Sequence, residues 1–73
     1  MIEVCSELVA NVASVMVEVG ATVAKGEMVV LLESMKMEIP MLAEAAGTVT
    51  EIRVAPGDVV QADDVLVIIS PTG

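Results

Sequence analysis

The residues best equipped for chemistry lie in one short stretch, E-S-M-K-M-E-I-P, running from Glu33 to Pro40. Lys36 at its centre is a primary amine, and an amine acylated by a carboxylic acid gives an amide that resists hydrolysis. Its four-carbon stem adds reach without bulk. Two thioethers, Met35 and Met37, flank it, and such flexible, polarizable side chains can fill apolar pockets on several partners in turn. Glu33, Ser34 and Glu38 complete the flanks. Pattern alone supports a plainer reading. Met35, Met37, Ile39 and Met41 alternate with Ser34, Lys36, Glu38 and Pro40, as on any amphipathic strand, where a lysine only keeps an edge soluble. Three features weigh against it. The chain must reverse here to begin its second half. The segment lacks the Asn, Asp and Gly that tight hairpins favour, and local rules tend to fail at functional sites. Two thioethers and an amine at a projecting turn are also poor solubility chemistry and good recognition chemistry.

Little else in the chain can react. There is no histidine for proton transfer, no Ser–His or Cys–His pairing and no aromatic platform among the 73 residues. Eleven carboxylates against two lysines and one arginine give a charge of −8. Such a chain repels phosphate backbones, so nucleic-acid binding is excluded as an expectation. Its acidity could steer it toward basic active-site entrances or simply keep it in solution. The single cysteine, Cys5, allows no internal disulfide and no zinc staple. It is read as a small buried hydrophobe of the first strand, and Met16 and Met28 as core filler. Lys25, in Ala24-Lys25-Gly26, reads as a solvated turn residue. Glu44 and Asp63-Asp64 lack the spaced oxygen ligands of a calcium loop. The longest uncharged run, Leu8 to Val17, is far short of a membrane span, and no secretion signal opens the chain. The expectation is a soluble, cytoplasmic, monomeric protein forming one domain over residues 1–73.

The elements that must position Lys36 read as strands. Fifteen valines and five isoleucines are a strand-former's composition. Asn11 to Val19 alternates, with Ala13, Val15, Val17 and Val19 on one face and Val12, Ser14, Met16 and Glu18 on the other. Met28 to Leu32 and Val65 to Ile69 are continuous apolar runs, the pattern of strands covered on both faces. Gly20, Lys25-Gly26, Ala46-Gly47, Pro56-Gly57 and Asp63-Asp64 supply turn signals at the density of an all-β fold, and no helix is expected. Self-comparison is stronger still. An offset of 37 residues sets Gly20 on Gly57, Val23 on Val60, Glu27 on Asp64 and Val30 on Val67, and upstream Val12 on Val49, Val15 on Ile52 and Val17 on Val54. Two similar halves of four short strands, related by an approximate two-fold axis, would close a flattened barrel that neither half could form alone. The same offset carries Lys36 onto the chain end, so the lysine is an addition at one pole of a symmetric object.

With those residues in place, the chain closely resembles the biotin carboxyl carrier family over nearly its whole length. Met35-Lys36-Met37, preceded by Glu33-Ser34 and followed by Glu38-Ile39-Pro40, resembles the E-A-M-K-M motif of biotinyl domains. The family's G-x-x-V-x-x-G-x-x-L pattern is echoed by Gly20, Val23, Gly26 and Val29, and again by Gly57, Val60, Asp63 and Leu66. The resemblance implies a flattened barrel of two four-stranded antiparallel sheets with quasi-two-fold symmetry, its modified lysine on a protruding hairpin turn. Ser34 stands for the commoner alanine, an exchange expected to be harmless. Ala10 stands where the first half often has glycine, while Gly47 keeps it in the second. The thumb insertion of some bacterial carriers has no counterpart, and neither linker nor catalytic domain is seen, which suggests a small stand-alone carrier.

By that resemblance, biotin is joined by an amide to Lys36, giving an arm on the order of 14 Å from Cα to the ureido ring. A biotin protein ligase would attach it, guided by Met35 and Met37. A biotin carboxylase would load a carboxyl group with ATP and bicarbonate. A carboxyltransferase would pass it to an acceptor such as an acyl-CoA, as in fatty acid biosynthesis. The chain itself would be a non-catalytic carrier. A lipoyl carrier of a 2-oxoacid dehydrogenase or glycine-cleavage type system is the alternative, although that family usually shows Asp-Lys-Ala where this chain has Met-Lys-Met. A binding-only barrel of an efflux adaptor lacks a presented lysine.

Overall fold

The computed structural model describes residues 1–71 and contains eight strands and no helix among them. They are β1 (Ile2–Cys5), β2 (Ala10–Val15), β3 (Thr22–Val23), β4 (Met28–Ser34), β5 (Met37–Leu42), β6 (Gly47–Ile52), β7 (Val59–Val60) and β8 (Val65–Pro71). One sheet has the order β1-β8-β6-β3 and the other β5-β4-β2-β7, every pairing antiparallel. Between them lies an aliphatic core with Leu32, Leu66, Ile69, Val29, Val30, Val49 and Val67 at its centre, and Ser6 is the buried polar side chain among the described residues. Val and Ile suit this layer because their stiff branched side chains fill a pleated surface with little loss of rotamer freedom.

The two halves are the same object twice. The 37-residue offset carries β1 to β4 onto β5 to β8, and with them one sheet order onto the other. Register irregularities recur as well: the break at Val12/Ser14 in β2 returns at Val49/Glu51 in β6. Even the left-handed backbone positions match, Gly20 (φ 93°) with Gly57 (φ 96°) and Gly26 (φ 86°) with Asp63 (φ 73°). Hydrogen bonds cross between halves reciprocally. The Gly20 amide donates to the Val49 carbonyl (2.7 Å) and the Gly57 amide to the Val12 carbonyl (2.9 Å). Gly26 donates to Ala43 and Asp63 to Ser6, each at 2.8 Å. Neither half can satisfy these turn amides without the other.

Three expectations need correction. The stretch from Asn11 to Val19 is not one alternating strand. A bulge between Val12 and Ser14 inserts a residue and flips the parity, so Val12 shares the inner face with Val15 and Val17 while Ala13 is exposed; β2 ends at Val15, and Val19 lies exposed beyond it. Met16, expected in the core, lies on the exposed side of the same irregularity. The runs in β4 and β8 are not covered on both faces either. Leu31 and Ile68 point outward and are half-exposed, and the paired burial of Val29-Val30 and Leu66-Val67 comes from the irregular first residues of each strand.

Gly47, read as a turn residue, instead opens β6 in a buried position. A Cβ there would collide with the Ser70 carbonyl oxygen, with Ile69 Cγ2 at 2.7 Å and with Pro71 Cα at 2.9 Å. Gly47→Ala is therefore expected to push β6 off β8 and lower stability by about 1–3 kcal/mol, read from a denaturant titration. A neutral result would show that the β6–β8 contact is loose. Its symmetry mate, Ala10, already carries a methyl group in the other sheet.

Topology also places the chain ends. β8 begins beside Cys5, and the Ser6–Val9 connection leads from there to the hairpin, where the Val9 carbonyl meets Ser34. From that point β8 runs away for seven residues and Ile69 pairs with Ile2. Met1 and Pro71 thus sit at the end of the 37 Å long axis away from the hairpin.

Candidate modification site

Lys36 stands where symmetry has no counterpart. β4 and β5 form a hairpin closed by the Ser34–Met37 pair, leaving Met35 and Lys36 as a two-residue loop. Both are left-handed, with φ of 50° and 67°. That is the backbone of a type I′ turn, whose twist matches the twist of the flanking strands. Asn and Gly normally supply it. Here two ordinary side chains adopt it at a cost of about 1–2 kcal/mol each, and the tightness of the hairpin holds them there.

The turn presents what it carries. Lys36 is exposed, Met35 is 91% exposed and Met37 64%. Lys36 has no ion-pair partner among the described residues, where the one pair is Arg53 with Glu51. One rung below the turn, Glu33 and Glu38 face each other across the strands. Like charges directly opposed are unfavourable in a sheet, so this rung too departs from what stability alone would select. Clefts elsewhere, one along Arg53, Asp58 and Asp64 and another along Met16, Glu18 and Glu27, do not include the turn. The lysine sits on a projection, not in a recess, which suits a group that enters other proteins' active sites.

All six residues singled out from the sequence, Glu33 to Glu38, lie together on this hairpin. Two features escaped the sequence. Val9, in the β1–β2 connection, is 61% exposed and comes up beside the turn. The Ser34 hydroxyl donates to the Val9 carbonyl at 3.3 Å across 25 positions of chain, a contact no local pattern signals. Cys5 is half-buried, not fully buried, and burial together with Glu3, Asp63 and Glu44 pushes its thiol above the ordinary range. It is a poor nucleophile. No group of His, Cys, Asp and Glu able to hold a metal occurs among the described residues.

Comparison with known proteins agrees with this geometry. The family model described as "Biotin-requiring enzyme" matches residues 3–69. The chain is 52% identical over 68 residues to the biotinylated protein TB7.3 homolog of Mycobacterium leprae, covering 93% of this chain and 96% of that protein. Among solved structures it superimposes on the urea carboxylase of Kluyveromyces lactis with a TM-score of 0.89 and 30% identity, covering 94% of this chain. It also superimposes on a single-chain, multi-domain long-chain acyl-CoA carboxylase with a TM-score of 0.90 and 32% identity, covering 99% of this chain. It spans only 6% and 7% of those two large proteins, a single module of each. A β-sandwich with an unmatched lysine hairpin, a family match over nearly its full length and a relative 52% identical over nearly the whole of both chains together show that this chain belongs to the biotin-requiring family.

Proposed function

We propose that Lys36 is the attachment point and that the chain is the carrier of a biotin-dependent carboxylase, moving a carboxyl group between a biotin carboxylase and a carboxyltransferase. The observation that carries this reading is the two-residue left-handed turn that projects Lys36 from an otherwise duplicated fold. In the attachment step the Lys36 Nζ attacks the activated carboxyl carbon of biotin, an amide C–N bond forms and the activating group leaves. A proton must first leave the ammonium. The chain contains no histidine, so a biotin protein ligase supplies the base and this chain supplies position. Bound biotin contributes the ureido nitrogen that takes up and gives up the carboxyl group. The protein has no catalytic role of its own in this reading and works in the cytoplasm as a monomer. Its similarity to an acyl-CoA carboxylase and a urea carboxylase supports a carboxylase partner, with an acyl-CoA as the acceptor class we favour. The test is co-expression with a biotin protein ligase followed by intact and tandem mass spectrometry. One biotinyl group on Lys36 is expected, and a lipoyl group or no addition would overturn the reading.

Met35 and Met37 belong to the partners in this reading. Their exposure leaves them almost no share of the core. Met35→Asp with Met37→Ala is expected to hold the melting temperature or raise it slightly, because aspartate tolerates the left-handed backbone better than methionine. The same variant is expected to lose biotinylation or carboxyl transfer by tenfold or more, on the order of one well-packed apolar contact. A melt several degrees lower would make them structural. Wild-type rates in the ligase assay and both carboxylase half-reactions would end the recognition role.

A further inference from the structure

We infer that Ser34 is a positioning residue that ties the lysine hairpin to the other half of the fold, and that it sets how often the turn is found in the geometry a ligase can use. This rests on the carrier reading above. The hairpin outgrows its sheet. β2 flanks β4 only as far as the Asn11–Glu33 pair, so beyond Glu33 the ribbon has two strands and no lateral neighbour in the ladder. Two-stranded ribbons are marginal in water. This one must also hold Met35 and Lys36 left-handed without glycine or asparagine. The Ser34 hydroxyl, donating to the Val9 carbonyl at 3.3 Å, is the one side-chain hydrogen bond from residues 33–38 to the body of the protein among the described residues.

Its loss should be felt in motion and not in stability. The Val9 side chain is largely exposed, and a carbonyl released at that surface is rehydrated, so no buried group is left unpaired. What changes is the fraction of molecules with the turn seated. A partner that needs the seated form then binds more weakly in proportion to that fraction, which raises KM and leaves kcat alone.

The experiment uses Ser34→Ala and the shape-matched pair Ser34→Thr and Ser34→Val, which differ only in the hydroxyl. Hydrogen exchange at the Met37 amide, which the Ser34–Met37 pair holds in the ladder, is the first readout in the unmodified protein. It is expected to quicken about two- to tenfold in the Ala and Val variants, the size one neutral hydrogen bond supplies, and to stay at the wild-type rate with Thr. The second readout is ligase kinetics, where KM should rise by the same factor in Ala and Val, kcat should hold, and Thr should restore KM. Melting temperatures should agree within about a degree. Unchanged exchange in Ser34→Ala, or Thr and Val behaving alike, would overturn the tie, as would a fall in melting temperature that accounts for the exchange. The exchange arm needs neither biotin nor ligase, so it judges Ser34 even if the chain proves to be no ligase substrate. Normal biotinylation with unchanged exchange would sink the tie and leave the carrier reading standing.

Discussion

Lys36→Arg is expected to abolish biotin incorporation, seen as loss of the avidin-reactive band and of the mass addition, with a melting curve that overlays the wild type. A guanidinium stays protonated at every accessible pH and offers no free nitrogen lone pair to an acyl carbon. The loss should therefore be complete, not graded. Stability should not move, because the lysine side chain is exposed and has no ion-pair partner among the described residues, while arginine keeps both charge and length. Lys25 is the natural internal control. It occupies the β3–β4 turn, where the left-handed residue is the neighbouring Gly26 and the lysine backbone is ordinary. An amine on that turn is not presented as Lys36 is. Biotin recovered on Lys25 or on the N-terminal amine of the variant would refute the claim that turn geometry selects the site.

Val67→Asp is expected to unfold the protein at neutral pH, shown by loss of the cooperative thermal transition and of amide dispersion. Val67 is fully buried between the sheets, within the cluster of aliphatic side chains. A domain of this size has about 4–11 kcal/mol of stability in total, and an unpaired buried charge alone costs several. Val30→Asp, at the symmetry-equivalent position and equally buried, should do the same damage. Val59→Asp should be tolerated, because Val59 faces out while its neighbour Val60 faces in. The pH dependence has a definite sign. Burial raises the folded-state pKa of the new carboxyl above its unfolded value near 3.9, so the destabilisation grows as pH rises above that value and shrinks below it. Partial recovery of structure near pH 3.5 would support the mechanism. A near-wild-type melt at pH 7 would refute the duplicated core.

Much of this architecture was readable before any coordinates, for physical reasons. A core built from period-two aliphatic patterning exposes its faces to inspection, and a duplicated fold repeats its spacing, so Val12 with Val49 and Val30 with Val67 identified each other. The lysine hairpin was readable because it broke that repetition. What stayed hidden were features with no local signature. A bulge is one extra residue, yet it brought Val15 and Val17 to the face of Val12 and carried Met16 outward. The left-handed turn at Met35-Lys36 runs against residue preference and is imposed by the strands on either side. Gly47 looked like punctuation because glycine marks turns, whereas its role is to let β6 approach β8. The tie from Ser34 to Val9 depends on how two halves of the chain are laid together.

Met1 and Pro71 sit at the opposite end of the long axis from Lys36, and that arrangement makes the whole body a spacer. Anything tethered through residue 1 or residue 71 stands up to one molecular length, 37 Å, behind the amine. A rigid β-sandwich transmits that distance without slack, so under the proposed attachment at Lys36 the radius swept by the arm would be the body plus the arm plus any flexible tether. Because both ends leave from the same pole, the module can be spliced into a loop of a larger protein as readily as fused to a terminus, and its working end still points outward. The same geometry suits it to immobilisation: captured through biotin on streptavidin, it would hold a fused cargo clear of the surface, with every copy facing the same way.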